Sequence, residues 1–162
     1  MCNPSNGEQN GGARQKEYCL YADDTTFRAA QPHRGRALST ADAAAYRALV
    51  AALPPHEIEE SGVTADAVPA FGVFSGDSLC AVASYELWLP SIAHISVATH
   101  PDHRRRGFAQ AAIQALATAA FARGLILQWR AVAWNTHSLA LAQSLGFAYY
   151  GATLYVRLRG KR

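Results

Sequence analysis

"HPDHRRRGFAQAAIQALATAAFARG", residues 100–124, sets three consecutive arginines and a glycine directly in front of an alanine-rich segment. The segment predicts a helix from Phe108 to Arg123, closed by Gly124 as its C-cap. A strand is expected to end near Thr99, so Arg104-Arg105-Arg106-Gly107 becomes the loop that feeds the helix. The first amides of a helix have no internal partner, and its dipole is positive there. Such an end holds phosphate oxygens. Gly107 has no Cβ to keep a ligand away from the backbone, and Ala109 is small for the same reason. The arginines surround this cradle with charge and give it a salt-dependent attraction.

Outward from this stretch the chain reads as alternating elements. "AFGVFSGDSLCAVASYELWL" predicts two strands turning at Ser75-Gly76-Asp77. Leu79, Ala81, Ala83, Tyr85 and Leu87 then share one face of the second strand. "IAHISVAT" predicts a third, reached through Leu89-Pro90-Ser91. "LILQWRAVAW" is apolar at nearly every position, as a strand covered on both faces would be. A short helix from Thr136 to Leu145 is stopped by Gly146, and "FAYYG" and "TLYVRL" predict a closing strand pair. Upstream, "LSTADAAAYRALVAAL" predicts a helix ended by Pro54-Pro55, with a second short helix in "HEIEESG" closed by Gly62. "EYCLYA" is a weaker strand signal. The implied fold is α/β (α+β): a mixed, mostly antiparallel central sheet flanked by helices on both faces.

Residues 1–16 are polar and rich in Gly and Asn, and they read as a flexible tail before a single domain over 17–162. The net charge is +3, from 15 basic and 12 acidic residues. That excess is local to the arginine loop. No aromatic-interleaved basic face accompanies it, which excludes nucleic acid as the expected partner. The three cysteines, Cys2, Cys19 and Cys80, have neither metal nor redox spacing. An odd number argues against a disulfide framework and for a reducing compartment. No apolar run reaches ~18 residues, and no signal pattern opens the chain, so a cytoplasmic protein without a membrane partner is expected.

Three kinds of phosphate loop compete for residues 104–109. A P-loop needs Gly-Lys-Ser/Thr, and a dinucleotide fingerprint needs Gly-x-Gly-x-x-Gly; both are missing. Arg104-x-x-Gly107-x-Ala109 resembles the Arg/Gln-x-x-Gly-x-Gly/Ala loop of the GNAT superfamily of N-acetyltransferases. Downstream, "NTHSLALAQSLGF" is similar to that family's Asn-containing helix ending in Leu-Gly-Phe. The resemblance covers about residues 70 to 158, and its two motifs lie in the expected order and context.

The resemblance implies acetyl-CoA as co-substrate, with no metal. Val97, Ala98 and Thr99 would offer backbone groups to the pantetheine arm, with the amide of Val97 or a neighbour facing the thioester oxygen. Arg104, Arg105, Arg106, Gly107, Phe108 and Ala109 would hold the pyrophosphate. Asn135 matches the family residue that bonds the pantetheine arm; it also reads as an N-cap for the next helix. Ser138, one turn on, would assist. The tyrosine that many members use to protonate the departing thiolate aligns with Ala142 here, leaving Ser138, Tyr149 and Tyr150 as substitutes.

For a base, the strands around Pro90 are expected to bring Glu86 opposite His94, on one face with Ser84 and Ser96. His94 would be general base with Glu86 as its partner, or Glu86 would act through water. An exposed cross-strand pair without catalytic duty is the plainer reading of the same register. His56, Glu57, Glu59 and Glu60 read as a solvated helix face or as the edge of an acceptor site. Together these features imply an N-acetyltransferase acting on a small-molecule or peptide amine by direct attack on the thioester. The alternative is a catalytically weak CoA-binding regulatory module. The last strands also leave room for a homodimer.

Overall fold

The computed structural model describes residues 14–28 and 33–156. Their apolar runs become seven strands: β1 (Arg14–Ala22), β2 (Arg36–Ala37), β3 (Ala70–Ser75), β4 (Ser78–Leu89), β5 (Ile92–Thr99), β6 (Ile126–Val132) and β7 (Ala148–Val156). The helices are α1 (Ala43–Ala51), α2 (Pro55–Ser61), α3 (Phe108–Phe121) and α4 (Thr136–Ser144). One sheet holds all the strands in the order β2-β3-β4-β5-β6-β1-β7. Only β5 and β6 run parallel. This is the mixed, mostly antiparallel sheet that the sequence predicts.

Helix boundaries follow local chemistry. Pro55 sits at the first position of α2, where no amide is needed, and Gly62 ends it in the left-handed region at φ 64. α3 buries Phe108, Ala112, Ile113, Leu116 and Ala120 along one stripe. Its alanines admit a close neighbour: a Cβ on Gly35 would lie 2.6 Å from the Ala111 carbonyl oxygen and 2.9 Å from the Ala115 Cβ.

The helices cover opposite faces. On one side Ile113 and Leu116 of α3 pack with Phe71, Ala83, Ile95 and Trp129, and Leu145 and Phe147 extend that core past α4. On the other, Tyr46 and Leu49 of α1 pack with Val63, Val82 and Ala98. Burial here is worth about 25 cal/mol per Å² of apolar surface, so the sheet is clamped from both sides.

Three expectations need correction. β1 begins at Arg14, so the tail boundary drawn at residue 16 falls inside a strand; residues 1–13 lie outside the described residues. The closing strand pair is one strand, β7, because "GAT" supplies no two-residue turn. Instead β7 bulges opposite Cys19 and Leu20. Its partner is β1, which inserts between β6 and β7. Finally, Leu79 leaves the face of Ala81 and Ala83, because the β3–β4 register shifts at Cys80 and turns Leu79 toward α1.

Candidate active site

β5 and β6 pair across only three rungs: Ile92 with Ile126, Ala93 with Leu127, and His94 with Gln128. Beyond Gln128 the two strands diverge, and β6 keeps only its far partner β1. β5 continues to Thr99 held by β4 alone. The His100 amide donates to the Cys80 carbonyl at 2.9 Å. In an antiparallel ladder bonded and non-bonded pairs alternate. The pairs Val82/Ala98, Ser84/Ser96 and Glu86/His94 are therefore bonded ones. The amides and carbonyls of Val97 and Thr99 point away from β4, into the opening. Ala98 is the exception among the three predicted residues: its backbone is turned to Val82.

The opening is a cleft of about 1090 Å³, walled by β5, β6, α2, the arginine loop and the start of α4. Val97, Thr99, Arg104, Arg105, Gly107 and Ala109 all line it. Arg105 and Gly107 have φ of 57 and 80, left-handed conformations of the kind from which successive backbone amides build an anion-binding concavity. No side chain caps the N-terminus of α3 among the described residues, so its first amides stay available. His33 was missed by sequence reasoning. Its Nε2 donates to the Arg106 carbonyl at 2.8 Å, and its ring stacks on Phe108 at 4.4 Å, which pins the loop. Arg106 in turn donates to His103 Nδ1 at 3.3 Å, and His100 caps the turn before the loop by accepting from the Asp102 amide.

α2 reaches across the mouth to both walls. Arg104 Nη2 lies 2.6 Å from Glu57 Oε2, and Asn135 Nδ2 lies 3.5 Å from Glu60 Oε2. The acidic segment is thus not simply a solvated face. Asn135 also caps α4, accepting from the Ser138 amide at 3.1 Å, so both readings of this residue have a geometric basis. The Ser138 hydroxyl accepts from Trp129 Nε1 at 2.9 Å and lines the cleft, leaving its own proton to donate. Ala142 is buried in the core. Tyr149 and Tyr150 are exposed on β7, packed edge-to-face against Tyr18 and Tyr21, and neither lines the cleft. Of the three substitutes for the missing tyrosine, only Ser138 lines the cleft.

On the rung where β5 and β6 part, the register puts Glu86 opposite His94, as predicted, but neither side chain is among those that line the cleft. The expected bond between them does not form. Glu86 Oε1 accepts from Trp88 Nε1 at 2.5 Å, two residues further along the same strand. His94 Nδ1 instead meets Gln128 Oε1 at 3.1 Å, on the rung where β5 and β6 last pair. Trp88 stacks on the imidazole at 4.1 Å, and Arg130 lies over Trp88 at 5.0 Å. Arg130 has the carboxylate that its buried position requires, in Glu17, and both touch Tyr155. Burial, and then the Arg130 guanidinium, hold His94 below the usual imidazole range.

Here a parallel strand pair splays open toward an uncapped helix start flanked by Arg104 and Arg105. Residues 69–154 match the family described as GNAT acetyltransferase, and the chain belongs to that family. Its structure is similar to a GNAT-family protein from Novosphingobium aromaticivorans, with a TM-score of 0.70 and 25% identity over 88% of this chain. It is also similar in fold to a GNAT-family acetyltransferase from Colwellia psychrerythraea, with a TM-score of 0.67 and 14% identity over 90% of the chain. The GNAT domain of S. lividans PAT shares the fold at a TM-score of 0.60 and 16% identity, over 78% of this chain and 86% of that one. The chain spans 63% and 56% of the first two relatives. No curated protein matches it. No helix is long and apolar enough to cross a membrane, and no metal-holding cluster occurs among the described residues.

Proposed function

We propose that the chain is an N-acetyltransferase that uses acetyl-CoA to acylate a primary amine. One observation carries the reading: the Val97 and Thr99 backbone groups, freed where β5 leaves β6, lead directly into the uncapped amides of α3. An extended amide-bearing arm can pair with the first, and a diphosphate with the second. Bound there, acetyl-CoA supplies an activated acyl thioester.

The chain's own residues do the rest. Arg104 and Arg105, which line the cleft, add charge around the diphosphate, Arg106 is turned to His103 and Phe108 instead, and the amides from Arg105 to Ala109 orient the diphosphate. Val97 N–H is the donor available to the thioester oxygen, a contact worth several kcal/mol when fixed in place. Asn135 holds the arm from the opposite wall, where it also caps α4. His94, set back from the cleft where β5 and β6 part, takes the amine's proton through a water. Burial keeps it neutral and able to accept one. Ser138 offers a hydrogen bond to the departing thiolate, strengthened by the Trp129 N–H that it accepts, and the thiolate takes its proton from solvent. Glu86 acts at one remove, holding Trp88 over His94.

The buried Ala142 favours a second reading, a CoA-binding module without turnover. One pair of measurements separates them. Acetyl-CoA at 100 times its dissociation constant stabilises the fold by about 2.7 kcal/mol under either reading. Thiol release that depends on an added amine occurs only under the first. No stabilisation by acetyl-CoA contradicts both.

A further inference from the structure

His94 does not act alone in its layer. Gln128 Nε2 donates to the Tyr21 hydroxyl at 2.5 Å, and Gln128 Oε1 faces His94 Nδ1 at 3.1 Å. The register explains why these three meet. Tyr21 pairs with Gln128 across β1–β6, and Gln128 pairs with His94 across β6–β5. Three strands thus deliver three side chains to one line on one face of the sheet. Gln128 is 7% exposed, so its amide cannot turn to water for a replacement partner.

An amide has one accepting and one donating end. With the donating end committed to Tyr21, the accepting end is left for the imidazole. An oxygen acceptor at Nδ1 requires a proton on Nδ1. In the neutral ring the lone pair then belongs to Nε2. We infer that Gln128 and Tyr21 are positioning residues that fix His94 as its Nδ1–H tautomer, so that Nε2 is the basic atom. This rests on the acyl-transfer reading only for its purpose; the tautomer itself is a property of the protein.

The ring's other neighbours leave this assignment to the amide. Trp88 offers a ring face, and its N–H is spent on Glu86. The charges that act on the imidazole are Glu86 from β4, Arg130 from β6 and Glu17 from β1, and none of them is hydrogen-bonded to it. The reverse arrangement has a defined signature. A flipped amide would donate to Nδ1, accept from Tyr21, and move the ring proton to Nε2.

The test is ¹⁵N NMR of the whole chain labelled at its six histidines, with His94 assigned by difference from His94→Gln. The expected neutral-pH spectrum shows a protonated Nδ1 and an unprotonated Nε2 at His94. Gln128→Leu and Tyr21→Phe are expected to shift it toward a mixture of tautomers, while Gln128→Glu, which still accepts at Nδ1, restores the single form. Kinetically, Gln128→Leu should lower kcat about tenfold with KM for acetyl-CoA unchanged, and Gln128→Glu should exceed it. A proton on Nε2 in the unaltered protein overturns the inference, as does a tautomer indifferent to both Gln128→Leu and Tyr21→Phe. If Gln128→Leu does not fold, Tyr21→Phe and Gln128→Glu decide alone. Full activity in His94→Ala would remove the base from the mechanism yet leave the NMR result standing, so the two failures are distinguishable.

Discussion

Arg104 and Glu57 face one another across the mouth of the cleft, Nη2 to Oε2 at 2.6 Å, on elements 47 residues apart in the chain. An anion entering the loop must compete with that carboxylate for the guanidinium. The pair is partly solvent-exposed, at 41% and 32% of the side chains, so its strength is that of a screened ion pair, about 0.2–1 kcal/mol. Glu57→Gln should therefore tighten CoA binding by up to about fivefold, and the gain should shrink with added salt. Arg104→Ala should weaken binding instead. Calorimetric titration of both variants at two ionic strengths checks this; weaker binding in Glu57→Gln would mean that Glu57 orders the loop rather than competes for it.

Gly107 carries φ 80 at the first turn of α3, in the left-handed region that costs a residue with a Cβ roughly 1–2 kcal/mol. Gly107→Ala is expected to fold with a lower melting temperature. Gly107→Trp adds a side chain where a ligand's phosphates would approach the backbone, and it should abolish CoA binding while the far-UV spectrum persists. Retained affinity in a folded Gly107→Trp protein would place the diphosphate elsewhere.

How much of this was legible in the sequence depends on whether a signal is local. Phe108 to Gly124 and the β3–β4–β5 meander were readable because turn residues and period change mark them. The Glu86–His94 register was readable because Pro90 fixes the turn. Glu86's actual partner was not, since Trp88, two residues along, and His94, across the ladder, both lie within its reach and only packing decides between them. Gln128 looked like one polar break in a covered strand, and nothing near it points to His94, which is 34 residues away in sequence. Tyr21 lies further still. β1 shows only a weak strand pattern, and its insertion between β6 and β7 is a tertiary outcome that no local signal encodes.

Ser138 serves two groups, accepting from Trp129 Nε1 and lining the cleft. Ser138→Ala removes both roles at once. The indole N–H, on a residue only 3% exposed, loses its acceptor, which should cost about 1–3 kcal/mol of stability. The proposed hydrogen-bond donor to the departing thiolate is lost too, so kcat should fall about tenfold with KM for acetyl-CoA little changed. Ser138→Thr keeps the hydroxyl and should recover both. Chemical denaturation and steady-state kinetics on the two variants separate the effects; a Ser138→Ala enzyme that is less stable but fully active would leave the hydroxyl a structural role only.

The last expectation follows from the direction of the His94 shift. Burial is its largest cause, and the Arg130 charge adds to it, so the folded state releases the imidazole proton at a lower pH than the unfolded chain does. Between those two values the unfolded chain binds more protons, and stability must rise with pH. His94 therefore stabilises nothing extra above the ordinary imidazole value, about 6.5, and destabilises the fold progressively as pH falls below it. The same displacement moves the acid limb of kcat below that value, because the base stays neutral further into acid. His94→Gln should flatten the stability profile in this window and lower kcat by about a hundredfold. Urea titrations from pH 5 to 7, run beside kcat profiles on the same samples, check both halves. An acid limb at or above the ordinary imidazole value would show that the proton is taken by another group.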